Sequence, residues 1–232
     1  IGGAGGLTGS LLGACILVAL IVLGVLMTFL VSRLLSATIL KGVPSSFTLE
    51  MPPYRRPQIL KVIVRSIVDR TLKVLGRAVI SAAPAGLLIW VLANVPLSGQ
   101  TTLLTALTGF LDPFARRLGM DGCILTGFLL GLPANEIVVP IIIMTYMARG
   151  SLLEVEGVQL MQLFTANGWT WITAVSTLLF SLMHWPCATT LLTIRKESGS
   201  LKWTLLSFLV PTVCGIILCF LFTTAARFLF PA

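Results

Sequence analysis

Five long apolar runs decide what this chain can fold into: Leu11 to Val31, Ala78 to Val95, Gly122 to Met147, Gly168 to Ile194 and Trp203 to Leu229. Each is near the roughly 20 residues that a helix needs to cross the hydrocarbon of a bilayer. None alternates apolar and polar residues as the strands of a membrane barrel do. With 56% hydrophobic and 10% charged residues and a mean hydropathy of +1.02, the chain lies far from a soluble globular domain. The expected fold is all-α: a polytopic transmembrane helical bundle with a broken or re-entrant helix and an amphipathic interfacial helix.

The break is expected in the third run, which carries a single acid, Glu136, directly after Leu132-Pro133-Ala134-Asn135. A carboxylate at bilayer depth costs about 2.5 kcal/mol or more unless something ligates or neutralises it, and proline among polar neighbours suggests an interrupted helix. Charge placement points the same way. Nine of the sixteen basic residues fall between the first and second runs, and Arg195, Lys196 and Lys202 lie between the fourth and fifth. The positive-inside rule makes both connections cytoplasmic. Three simple crossings between them would put them on opposite faces. The conflict disappears if Gly122 to Leu132 and Ile137 to Met147 are two half-helices that enter and leave on one face, hinged at Pro133 to Glu136. Half-helix ends expose unpaired amides and carbonyls, which transporters turn toward an ion or substrate. One tilted span kinked at Pro133 is the competing reading.

Gln58 to Arg77 spaces Lys61, Arg65, Asp69, Lys73 and Arg77 four residues apart, with Ile59, Val62, Ile63, Ile67, Val74 and Leu75 on other faces. This is an amphipathic helix suited to anionic headgroups, and the apolar runs around it argue against nucleic acid as its partner. Before it, Glu50 to Pro57 holds three prolines and reads as a stiff loop. A second polar segment, His184-Trp185-Pro186-Cys187-Ala188-Thr189-Thr190, interrupts the fourth run with the chain's only histidine. Imidazole and thiolate together suit a borderline divalent metal such as Fe, Zn or Cu, and Glu136 would complete a mixed N, S, O set. The alternative is a hydrogen-bonded His184 at a helix end and a Cys187 that packs as a small apolar residue. Met144, Met147 and Met183 read as filler. Trp90, Trp169, Trp171 and Trp203 mark the membrane interface.

The five cysteines all lie in apolar segments, so no disulfide framework is expected. No phosphate loop, HExxH helix, CxxC pair or Ser/His/Asp pattern is present, and the chain is not read as an enzyme. Ile1 in place of Met, with no basic region before the first run, reads as a fragment or one half of a split protein.

Three segments in order, Glu50-Met51-Pro52-Pro53-Tyr54-Arg55, Gly131-Leu132-Pro133-Ala134-Asn135-Glu136-Ile137-Val138-Val139, and His184-Trp185-Pro186-Cys187 followed by Lys196 to Trp203, give the chain a likeness. From about Leu11 onward it resembles the C-terminal membrane half of ferrous iron transport protein B. The resemblance implies a multi-pass Fe(II) importer of the bacterial cytoplasmic (inner) membrane. Fe(II) would be the transported substrate, with no bound cofactor in this chain. The implied partners are membrane lipids, an N-terminal G-protein domain that regulates or drives passage, a first gate repeat, and a possible homo-oligomer. The family's first-gate glycine-cysteine-asparagine-proline motif is not in this sequence. The implied organisation is a first transmembrane helix and flanks at 1–40 and a cytoplasmic loop with the basic helix at 41–77. A gate-type repeat broken at 133–136 follows over 78–165, then C-terminal helices at 166–232.

Carried over by position, the resemblance points to Glu136, Asn135 and Cys187 as metal-contacting residues, with His184 added on chemical grounds. Asn135 stands where many members carry lysine, which removes one possible partner of Glu136. The expected mechanism is a relay of weak ligands, because conduction needs exchangeable sites and a closed tetrahedral cage would trap the metal. Two other readings remain: a scaffold or oligomerisation domain, favoured by small residues at Gly2, Gly3, Gly5, Gly6, Gly9 and Gly13, and a gate-type nucleoside or solute carrier.

Overall fold

The computed structural model describes residues 7–38, 58–98, 101–147 and 158–230. It divides into two compact units, 1–58 and 59–232. The glycine-rich start and the Glu50 to Pro57 loop lie outside the described residues.

Among the described residues the first unit holds one helix, α1 (Leu7–Ala37). It is apolar around its whole circumference, with Leu17, Val18, Ile21, Leu26 and Phe29 all exposed, as a helix whose solvent is lipid should be. Thr28, deep in this run, returns its hydroxyl proton to the Gly24 carbonyl at 2.8 Å, so that hydroxyl is not left unpaired.

In the second unit α2 (Ile59–Arg65) passes through a π-helical stretch, Ser66–Leu72, into α3 (Lys73–Asn94). The basic helix and the second apolar run are therefore one continuous rod, where the sequence suggested a surface helix followed by a separate span. No proline interrupts the chain between Gln58 and Pro84, so nothing stops the helix at the charge boundary. A small antiparallel ladder, β1 (Pro96–Ser98) with β2 (Thr101–Thr102), then turns the chain. The Thr102 hydroxyl accepts the Thr105 N–H and starts α4 (Leu103–Arg117), an amphipathic helix shorter than a span.

The third apolar run is a hairpin of two short helices, α5 (Gly122–Leu130) and α6 (Val138–Tyr146). Asp121 caps α5 by accepting the Ile124 N–H at 2.8 Å. Its other carboxylate oxygen accepts the Tyr146 hydroxyl from the far end of α6, so the run begins and ends at the same level. Gly127 lets the two helices touch: a Cβ there would lie 2.5 Å from Ile142 Cγ1. Nine residues per helix give about 14 Å of rise, near half the hydrocarbon thickness. The hairpin thus returns the chain to its starting face, which removes the conflict between the two basic connections.

After α7 (Val158–Ala166) come α8 (Trp171–Met183), α9 (Ala188–Ser198) and α10 (Leu201–Leu229). Gly199, at φ 61°, closes α9 in the left-handed conformation and reverses the chain into α10. α10 runs back along α9 and α8, where buried Ser176 and Thr223 share a hydrogen bond of 3.2 Å and Cys219 donates to the Ser176 carbonyl. Gly13–Ala37, Trp171–Ser198 and Leu201–Leu229 are long and apolar enough to cross a membrane, the second of them with an interruption. Ile89 and Ala93 of α3, Leu104 of α4, Leu130 of α5, and Ile141 and Met144 of α6 form a core that holds the hairpin to the rod.

Candidate functional site

Two helices in this unit are interrupted, and their interruptions meet. In the first, α5 stops where the Gly131 N–H reaches the Gly127 carbonyl at 2.8 Å, and Pro133 supplies no amide to continue the ladder. Ala134 is extended (φ −152°, ψ 119°), and a 3-10 turn, Asn135–Ile137, leads into α6. In the second, α8 stops at Met183, and His184 (φ −69°, ψ 175°) and Cys187 (φ −62°, ψ 158°) are extended before α9 begins at Ala188. The Leu132 carbonyl, freed of a helical partner, accepts the Ala188 N–H, a first-turn donor that α9 cannot satisfy itself, at 2.8 Å. One orphan of each helix end pairs with one of the other.

Around this junction the expected ligands divide between the two breaks. Cys187 is half-buried, with Sγ 3.0 Å from Thr189 Oγ1 and 3.1 Å from Thr190 Oγ1. His184 Nδ1 lies 2.8 Å from the Ser181 carbonyl, which only accepts, so Nδ1 carries the proton. The Nε2 lone pair is then buried without a hydrogen-bond partner among the described residues. Phe128 (ring centroids 5.1 Å), Phe180 (6.2 Å) and Trp185 (6.0 Å) surround the imidazole. Asn135 and Glu136 stand exposed on the 3-10 turn of the other break. Among the described residues no three His, Cys, Asp or Glu side chains gather to hold a metal ion. The arrangement offers separate single donors on two facing breaks, not a cage. Met144 lies in the buried core and Met183 against Gly215, as filler does.

Sequence reasoning did not find the polar chain at the open end of the hairpin, where Trp169 Nε1 donates to the Tyr146 hydroxyl at 2.7 Å and that hydroxyl donates to Asp121. Phe164 stacks on Trp169 with centroids 4.1 Å apart. An aspartate immediately before an apolar run was a readable cap signal, but its tyrosine partner 25 residues on was not.

A family model described as ferrous iron transport protein B C terminus matches residues 17–70, and one described as nucleoside recognition matches residues 75–201. The Fe(2+) transporter FeoB of Staphylococcus aureus is 30% identical over 217 residues, 89% of this chain and 31% of its own. The protein of the same name from Synechocystis is 28% identical over 213 residues, 90% of this chain and 33% of its own. That of Methanocaldococcus jannaschii is 25% identical over 228 residues, 93% and 33%. The chain spans about a third of the length of the curated relatives it matches. No solved structure matches it.

Proposed function

This chain belongs to the ferrous iron transport protein B family, as its C-terminal membrane part with a nucleoside-recognition gate, and on that footing we propose that it is the permease portion of a ferrous iron importer in which Fe(II) passes at the junction of the two breaks. The observation that carries the proposal is the 2.8 Å bond from Ala188 N–H to the Leu132 carbonyl, which sets a thiol and an imidazole on one side and a carboxylate on the other. Fe(II) shedding water would meet Glu136 and Asn135 on the first break and Cys187 and His184 on the second, one or two at a time. Backbone carbonyls at Pro133 and Ala134 would supply further oxygen donors. Such dispersed ligation releases the ion as readily as it takes it up, as conduction requires. The membrane is the cytoplasmic one of a bacterium, and the energy or gating comes from a G-protein domain and a first gate repeat of the same transporter.

The test is anaerobic Fe(II) uptake into proteoliposomes holding the full-length transporter, comparing wild type with Glu136→Gln plus Cys187→Ser at equal incorporation. The expected result is loss of uptake with thermal unfolding unchanged. Uptake equal to wild type would remove the metal path from this junction and leave the chain a scaffold.

A further inference from the structure

Where α4 and α10 end and α5 and α8 begin, a cleft of about 460 Å³ opens at the rim of the bundle, lined among others by Arg116, Asp121, Trp169, Thr173, Arg227 and Phe230. Among the described residues its charge is cationic once the acids are accounted for. Both oxygens of Asp121 are engaged, one by the Ile124 N–H and one by the Tyr146 hydroxyl. Asp112 accepts Arg116 Nε at 2.6 Å and the Gly122 N–H at 3.0 Å, which fixes the arginine's position at the rim. Arg227 donates from Nη2 to the Arg116 carbonyl at 2.9 Å and has no carboxylate partner among the described residues. Among the described residues two arginines therefore line one cleft with Asp112 as the acid paired to them, and a bound anion would give Arg227 a charged partner.

The backbone adds to this. Thr170 caps α8 through the Thr173 N–H, and Thr170, Ile172 and Thr173 line the cleft, so the positive end of the α8 dipole faces it. Gly168, at φ 80°, lines it too, and a side chain there would meet nothing within 4 Å. The cleft's height is also fixed. Trp171 begins and Leu229 ends the two membrane-length helices of this unit, and Trp171 meets Phe230 edge to face at 5.5 Å. Aromatic side chains at span ends mark the headgroup layer.

The geometry points to a phosphate-binding site at this rim, occupied by the headgroup of an anionic phospholipid. A docking station for Fe(II) is disfavoured there, because the two arginines repel a dication and Asp121 has no free oxygen. The site lies at the opposite end of α10 from the Arg195, Lys196 and Lys202 turn, so it is separate from the basic connections.

Native mass spectrometry of the detergent-purified protein, incubated with dioleoyl phosphatidylglycerol or dioleoyl phosphatidylcholine, tests the assignment. Wild type is expected to retain the anionic lipid about tenfold better than the zwitterionic one. Arg116→Gln with Arg227→Gln should abolish that preference, and Arg195→Gln at the other end should keep it. Added inorganic phosphate separates the sources: displacement shows that the phosphate group alone is recognised, and persistence shows that the lipid with its chains is. Because Arg227 also holds the Arg116 carbonyl, the wild-type headgroup preference is read first and needs no variant to fold. Equal retention of the two lipids by wild type, or an unchanged preference in the double variant, would overturn the site.

Discussion

The two helix breaks are joined by a backbone hydrogen bond, and proline at position 188 removes it and forces its two sides apart. Ala188 is the first residue of α9, where proline fits because its amide has no partner within the helix. Cys187 before it already has φ −62° and ψ 158°, the extended conformation a residue preceding proline prefers. The helix is therefore preserved, but the 2.8 Å donation to the Leu132 carbonyl is lost, and the proline Cδ, standing where the amide hydrogen did, pushes that carbonyl away. Leaving that acceptor unpaired costs about 1–3 kcal/mol, and the stiffer unfolded chain returns about 0.4–1 kcal/mol. The net loss is therefore at least about 1–2 kcal/mol before the displaced carbonyl is counted, a fall in melting temperature of about 2–8 °C or more. Ala188→Ser keeps the N–H and is the control. Thermal unfolding in detergent supplies the first readout. The rate of maleimide labelling at half-buried Cys187 supplies the second, since a loosened junction exposes the thiol. If Ala188→Pro melts and labels like Ala188→Ser, the bond between the breaks carries no energy and the reasoning fails.

Three further outcomes follow from the packing. Gly119 (φ 77°) and Gly168 (φ 80°) share a left-handed backbone, but a Cβ at 119 would lie 2.5 Å from Ser176 Oγ and one at 168 would meet nothing. Gly119→Ala should therefore cost about 1–3 kcal/mol more than Gly168→Ala in paired unfolding measurements. Tyr146→Phe strips Trp169 Nε1 and one Asp121 oxygen of their shared partner, and should lower stability by about 1–3 kcal/mol, read as a lower melting temperature in detergent. Anaerobic Co(II), as a stand-in divalent ion, should slow maleimide labelling of Cys187 and leave the fully buried Cys219 unlabelled throughout; equal labelling of Cys187 with and without the ion counts against a ligand role.

The membrane class, the hairpin and both breaks were legible because each has a local cause: run length, a proline without an amide, and one acid in an apolar run. The interruption at 184–187 was visible from Pro186 and the polar side chains around it for the same reason. The meeting of the breaks was not legible, since Leu132 and Ala188 are joined through their backbones and no side-chain pattern records it. Likewise α4 escaped notice because its apolar face is too short for a span and its acid and bases blur the run. The end of the basic segment at Arg77 has no counterpart in the backbone: charge changes sharply there, but α3 runs unbroken across it from Lys73 to Asn94.

On the proposed path, the two breaks would divide the work. Cys187 and His184 are enclosed by Thr189, Thr190, Phe128 and Trp185, so their donors are oriented before any ion arrives. Glu136 is exposed at the hairpin tip with no hydrogen-bond or ion-pair partner among the described residues. About 14 Å from the hairpin's open end, a bare carboxylate against lipid would cost about 2.5 kcal/mol or more. Water or protein must therefore face the tip in the assembled transporter. On the proposed path, a carboxylate that is hydrated between ions and a thiol that is held ready would make an asymmetric pair, the first collecting a hydrated dication and the second accepting it after dehydration. Replacing Glu136 alone should then weaken uptake at low Fe(II) concentration, raising KM, whereas replacing Cys187 alone should lower the maximal rate. The same change in both parameters from either substitution would show that the two residues do not act in sequence.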